Sequence, residues 1–260
     1  MPGPDSDQRE TAVTVHNRDG RGPVMVVCEH ASRVIPARYG DLGLRPELLD
    51  SHIAWDSGAL PVAQGLSSAL DAPLVASDLS RLLFDCNRPP EAPDAIPDHS
   101  EIHDIPGNQN LNAAERANRV TTIHDPFRDG LQGVMNRFAS PPVMITVHSF
   151  TPVYRGQTRD VEIGLICDSD ERLARAMMSN AADHTARIVR LNDPYGPQDG
   201  VTHTLRTHAL PIGAINVMLE IRNDLIRDAA AQTAMVAMLT RWIVAACADL
   251  GVAPPLKVST

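Results

Sequence analysis

The sequence has no surplus of basic residues: 23 Lys and Arg stand against 32 Asp and Glu, a formal net charge of −9. General binding to nucleic acid needs a basic surface that neutralises phosphates, and docking on anionic lipid needs the same, so neither partner is expected. A small anionic ligand stays open, because a site can be locally basic inside an acidic protein. Cysteine is scarce and dispersed. Cys28, Cys86, Cys167 and Cys247 form no CxxC pair, and in a chain of 260 residues they read as buried free thiols, not a disulfide framework. The opening MPGPDSDQRE lacks the apolar core of a signal peptide. No apolar stretch is expected to reach the roughly 18 residues of a membrane span. Together these absences read as a cytoplasmic protein. Also missing are an HExxH metal signature and a GxSxG nucleophile elbow around Ser32 or Ser149.

What is present is a globular composition, 43% hydrophobic and 21% charged, in a chain long enough to bury a full core. Residues 1 to about 20 read as a flexible polar lead-in, and 21–260 as a single domain. Short apolar runs at 24–28, 73–77, 143–147, 162–166 and 215–220 are rich in β-branched residues and almost continuously apolar, as strands covered on both faces are. Helical patterns lie between them. Asn112 with Glu115 fits a capping box, and so does Asp168 with Glu171. Pro126 should kink or break the helix that begins at Asn112. The last helix, about 229–250, ends at Gly251. Strands alternating with helices predict an α/β three-layer sandwich around a central mixed, largely parallel sheet. The stretch 87–110 carries five prolines and no period of either kind, which predicts an ordered loop walling a site. A second such loop spans 192–202.

In a sheet covered on both faces, ligands gather at the carboxyl ends of the strands. His30 follows the first central run by two positions, His148 follows the 143–147 run, and Glu220 ends the 215–220 run. Two imidazoles and a carboxylate at neighbouring strand ends suit a catalytic zinc site. They suit a metal-free acid/base site or hydrogen-bonded structural roles as well, and the wide spacing does not choose among these.

At these residues the chain resembles the N-formylglutamate amidohydrolase family, from about residue 24 to residue 250. The resemblance is carried by CEHASRVIP (28–36), HIAWDSGA (52–59), DLSRLLFDCNRPP (78–90), IPGNQNL (105–111), TVHSFTPVYRG (146–156) and LEIRNDL (219–225). It implies a phosphorylase/hydrolase-like, zinc peptidase-like fold and one Zn2+ per chain. His30 and His148 would be metal ligands and Glu220 the general base. Zinc carboxypeptidases place a glutamate three residues after the first histidine, where this chain has Arg33, so the third ligand is expected from Asp56. The other role open to Asp56 is capping the helix that follows it. Glu29 is the weaker choice for the ligand.

Arg81 and Arg88 are candidates for stabilising the oxyanion, with salt bridges to Asp78 or Asp85 as their other reading. Arg155, Arg159, Arg222, Thr204 and His208 are candidates for holding the substrate. The remaining histidines read as surface or packing residues, His103 in the long loop being the one to watch. The resemblance implies a deformylase of histidine degradation that converts N-formylglutamate and water to glutamate and formate, its partner a small anionic N-acyl amino acid. Another N-acyl amino acid or a small peptide is an alternative substrate. A non-catalytic binding protein on the same scaffold, or a serine hydrolase using Ser32 or Ser149, are the alternatives from other classes.

Overall fold

Seven strands form one mixed sheet in the computed structural model, which describes residues 11–252. They are β1 (Val13–His16), β2 (Val24–Cys28), β3 (Leu74–Ser77), β4 (Val143–Phe150), β5 (Ile163–Ile166), β6 (Val189–Leu191) and β7 (Asn216–Arg222). Their order across the sheet is β1-β3-β2-β4-β7-β5-β6. The four central strands β3, β2, β4 and β7 are mutually parallel. At the edges β1 runs antiparallel to β3, and β5 runs antiparallel to β7 with β6 parallel to it.

The apolar runs are continuous because each central strand feeds two cores. Val24, Val26 and Cys28 of β2, Val143, Ile145 and Val147 of β4, and Val217, Leu219 and Ile221 of β7 all face one side. There they meet α1 (Ala59–Ala69), α4 (Arg172–Ser179) and α5 (Ala229–Asp249). The alternate residues Met25, Val27, Met144 and Met218 face the other side. That side is filled by Phe127, Leu131 and Val134 of α3 (Asp125–Met135) and by Leu82, Phe84, Ile96 and Ile105 from the long loops. The same alternation turns His148 and Glu220 toward the second side, the one the loops cover. The helix α2 (Ala113–Arg119) precedes α3.

The expected strands are present, with β4 and β7 running past their expected ends to Phe150 and Arg222, so His148 and Glu220 lie inside strands. Part of the expected flexible lead-in is a strand: Val13–His16 pairs with β3 in a continuous register. Residues 1–10 of that lead-in and residues 253–260 lie outside the described residues. The short strand β6 went unread because its three residues VRL give no period to detect.

Asn112 and Glu115 form the expected capping box on α2. Before Pro126, which has no amide hydrogen to donate, the helix widens into a π-helical turn, Val120–His124, and then resumes as α3. The second expected box does not form. Asp168 accepts hydrogen bonds from Ser169 N and Thr202 Oγ1 at 2.8 and 2.7 Å, and Glu171 makes no side-chain cap. Contrary to the expectation from the sequence, α5 has the length and apolar composition of a membrane-crossing helix. Met235, Leu239, Trp242, Ile243, Ala246 and Cys247 are buried where the helix packs against α1 and α4, and Trp242 Nε1 donates to Met177 O, as in the core helix of a sandwich. All four cysteines are free and buried.

Candidate active site

Over the carboxyl ends of β2, β4 and β7 lies a cleft of about 630 Å³. His30, Asp56, Arg81, Asp85, Arg88, His148, Arg155, Arg159, Tyr195 and Glu220 all belong to its lining. His30 enters from the turn after β2. His148 and Glu220 are register partners on the parallel strands β4 and β7, so their side chains rise from the sheet next to one another.

Asp56 arrives by a different route. Its N–H donates to His30 O at 3.0 Å, and two residues later Gly58 starts α1 at φ 81°. A Cβ on Gly58 would sit 2.5 Å from Ile226 O, so only glycine passes there. Because this turn begins the helix without a side-chain cap, the Asp56 carboxylate is released from the capping role and reaches across to the histidines.

Three donor atoms converge. Asp56 Oδ2 lies 3.3 Å from His30 Nδ1 and 2.9 Å from His148 Nδ1, and the two Nδ1 atoms are 3.2 Å apart. Each imidazole is held from behind by another carboxylate. His30 Nε2 donates to Asp85 Oδ1 at 2.7 Å. His148 Nε2 lies 3.1 Å from Glu29 Oε2, paired in charge although the angle is too poor for a hydrogen bond. With the protons drawn to the two Nε2 atoms, both Nδ1 lone pairs and a carboxylate oxygen face one another in a buried space, which is unfavourable without a cation among them. Tetrahedral zinc with ligands at about 2.0–2.1 Å has ligand–ligand edges of about 3.3 Å, close to the spacing found here. His30, Asp56 and His148 can therefore hold a metal ion.

The electrostatics agree. Glu29, Asp56, Asp85 and Glu220 outnumber the guanidinium groups of Arg81 and Arg88 around the histidines. Burial works to lower the pKa of His148, yet Glu29 and Asp56 carry it well above its ordinary value. Burial and Arg81 oppose the charge on His30, and Asp85 and Asp56 still raise its pKa. The cluster calls for positive charge at the Nδ1 atoms, and a proton or a metal ion can supply it. Glu220 is different: burial, aided by Asp56 and opposed by His148, pushes its carboxyl up to about 7, and its buried Oε2 has no hydrogen-bond partner among the described residues.

The other expected site residues divide. Arg81 donates to Asp85 Oδ2 at 2.7 Å and approaches Asp56 Oδ1 at 3.5 Å, so the salt bridge with Asp85 is realised within the cleft. Arg88 pairs with Asp94 at 3.1 Å and donates to Asp199 O. Arg155 and Arg159 line the cleft, whereas Thr204, His208 and Arg222 do not. Thr204 is buried beside Glu29, and its N–H donates to Asn87 Oδ1. His208 is buried in the π-helical turn Leu205–Ala209. Arg222 leaves the end of β7 for Asp224, at 2.8 Å, and the carbonyl of Arg159. Ser149 donates its hydroxyl to Ser57 O, and Ser32 accepts from Val34 N, so neither serine is paired with a histidine as a nucleophile would be.

Several roles escaped the sequence reading. Asp85, expected only as a salt-bridge partner, and Glu29, the weaker ligand candidate, stand behind the histidines, and Asn87 ties the two loops together through Val201 O and Thr204 N. Gly164, opposite Glu220 on β5, lets the chain at Asp193 cross the sheet: a Cβ there would meet Asp193 O at 2.3 Å and Glu220 Cβ at 3.1 Å. That crossing carries Tyr195 to the cleft. The motif DLSRLLFDCNRPP contains both Asp85 and Asn87, but nothing local in it tells a buried partner from a surface one.

Comparisons with known proteins fit this geometry. A crystal structure of gene product Atu2144 from Agrobacterium tumefaciens superposes with a TM-score of 0.91 at 50% identity, covering 93% of this chain and 96% of that one. An N-formylglutamate amidohydrolase from Ralstonia eutropha JMP134 shares the fold, with a TM-score of 0.62 at 19% identity over 93% of this chain and all of that one. Among curated proteins no sequence matches. The family model for N-formylglutamate amidohydrolase matches residues 22–227, taking in the cleft and every strand of the sheet but β1, and the chain therefore belongs to the N-formylglutamate amidohydrolase family as a hydrolase of amide bonds.

Proposed function

We propose that this amidohydrolase works with one zinc ion held by His30, Asp56 and His148, with Glu220 as general base, and that it removes the N-formyl or a similar small N-acyl group from an acidic amino acid. For N-formylglutamate the reaction takes up one water and yields glutamate and formate. The observation that carries the reading is the convergence of two Nδ1 atoms and one carboxylate oxygen, each imidazole backed by a carboxylate, beside the register partner Glu220. Two histidines and one carboxylate with a position left open is a ligand set that catalytic zinc sites use.

Zinc bound there would act as a Lewis acid on the amide carbonyl and make water acidic near neutral pH. Glu220 has the position and proton affinity to take a proton at Oε2 and return it to the leaving nitrogen, since a base works best with a pKa near the working pH. Arg81, fixed by Asp85 and Asp56, sets positive charge beside the histidines where an oxyanion would form. Arg88 is turned toward Asp94. Asp85 and Glu29 orient the imidazoles so that Nδ1, not Nε2, faces the cleft.

The test is bound-metal content in wild type and His148→Ala, together with formate release from N-formyl-L-glutamate with and without chelator. About one zinc per chain, lost in the variant, and chelator-sensitive formate release are expected. Zinc without formate release would reject the substrate and direct the assay to other N-acyl amino acids. A chain that takes up no metal on reconstitution would reject the metal reading itself.

A further inference from the structure

The chain is poor in aromatic residues, with four Phe, three Tyr and two Trp, yet three of them surround a single cation. The Arg159 guanidinium carbon lies 4.4 Å from the Tyr154 ring centroid, 4.9 Å from that of Tyr195 and 5.5 Å from that of Phe150. Its NH1 donates to Tyr195 Oη at 3.0 Å and to Thr151 O at 3.5 Å. Its Nε and NH2, the edge that takes a carboxylate side-on, have no acceptor among the described residues, and Arg159 makes no ion pair with any of them.

The other arginines near the site are committed or misplaced. Arg81 is tied to Asp85 and Asp56 beside the histidines, and Arg88 to Asp94. Arg222 is paired with Asp224 outside the cleft. Arg155 is exposed at the tip of a turn with φ 49°, whereas Arg159 is half-buried. A half-buried guanidinium stacked among rings is held in place with little freedom left to lose, and its open fork matches a planar anion.

We infer that Arg159 reads a carboxylate of the substrate through its Nε–NH2 edge, and that Tyr195, bonded to NH1, is the positioning residue that aims it. The inference rests on the proposed reaction for the substrate's class and goes beyond it in assigning one arginine out of five as the anion receptor. Tyr195 suits the role. Burial, with the charge of Glu220, pushes its phenol up to about 12, so the hydroxyl stays neutral and can accept from Arg159 throughout the working pH range. Since it accepts that bond, its own O–H remains available to a ligand between Arg159 and Glu220. The crossing over Gly164 sets the span between this anchor and the sheet.

The experiment uses the metal-containing enzyme with Glu220→Gln to suppress turnover, and titrates it calorimetrically with N-formyl-L-glutamate, its α-amide and its γ-amide. Glutarate, which carries two carboxylates and no amide, is titrated in parallel. Adding Arg159→Met should weaken N-formyl-L-glutamate about 10- to 100-fold and leave unchanged the affinity for whichever amide already lacks the carboxylate that Arg159 reads. Arg159→Lys should recover little of this, because an ammonium cannot make the fork. In the otherwise wild-type enzyme, Tyr195→Phe should raise KM several-fold with kcat nearly kept. An equal loss for all three N-formyl ligands, or no loss, overturns the inference. If N-formyl-L-glutamate is neither bound nor hydrolysed by the wild type, the proposed substrate fails. Glutarate then decides the anchor: binding that Arg159→Met abolishes supports it, and binding that is absent or unaffected overturns it.

Discussion

Glu220 and His148 are direct register partners on adjacent parallel strands, so one carboxylate and one imidazole leave the same face of the sheet side by side. Their relative placement is set by the backbone hydrogen bonds of the paired strands and not by a loop. Replacing Glu220 with Gln keeps its shape and removes its basicity. The expected result is a fall in kcat of about 10²-fold or more with zinc content unchanged, from formate release and elemental analysis on one preparation. A variant that keeps most of its activity would move the base elsewhere.

Asp85 and Glu29 hold the distal nitrogens of the two histidines. Asp85→Asn and Glu29→Gln leave all three ligand atoms in place but weaken the hold on the imidazoles. Zinc affinity, measured by competition with a chelating dye, should fall about 10- to 100-fold in each variant while the fold, followed by circular dichroism, is kept. An unchanged affinity would mean that ring orientation is set by packing alone.

Gly164 lies under the chain at Asp193, where a Cβ would stand 2.3 Å from a carbonyl oxygen that cannot move without its loop. Gly164→Ala should destabilise the protein by about 1–3 kcal/mol in denaturant unfolding. It should also raise KM, because Tyr195 lies two residues along the displaced chain. Wild-type stability in that variant would show that the loop gives way freely.

His208 gives stability a pH dependence with a definite sign. Burial first, and then His203 and His124, depress its pKa from 6.5 to about 4, while Glu29 works the other way. As pH falls, the unfolded chain takes up the proton first, so stability is complete above about pH 6.5 and is lost between there and about pH 4, by up to roughly 3 kcal/mol. His208→Gln lacks this dependence. The stability gap between wild type and variant, from urea melts at a series of pH values, should shift in the variant's favour by that amount on acidification. A gap independent of pH would show that His208 keeps its ordinary pKa in the fold.

Much of the architecture was legible in the chain because it is written locally. Runs such as VMVVC and VMITV are apolar without alternation, which already requires a strand covered on both faces. Asn112 with Glu115 marks a helix start that the structure keeps. The neighbourhood of His30, His148 and Glu220 followed from strand ends sharing one edge of such a sheet, and the family followed from segments that keep rare residues in a set order.

What the sequence by itself determined, then, is the central elements, without the edge strands β1 and β6, the face each buries and the short list of chemically able residues. The tertiary structure decided among them. Asp56 had two roles open, and the turn at Gly58 released it from capping and sent it to the histidines. Arg155, Arg159 and Arg222 were equal candidates for the substrate until an ion pair with Asp224 committed Arg222, exposure set Arg155 apart, and the fork of Arg159 was left open. Glu29 and Asp85 entered only as a weaker ligand choice and as a salt-bridge partner for an arginine, and Tyr195 drew no attention at all. Their roles depend on contacts between residues far apart in the chain, and side-chain periodicity, which reports only which way a residue faces, carries no information about what it will meet.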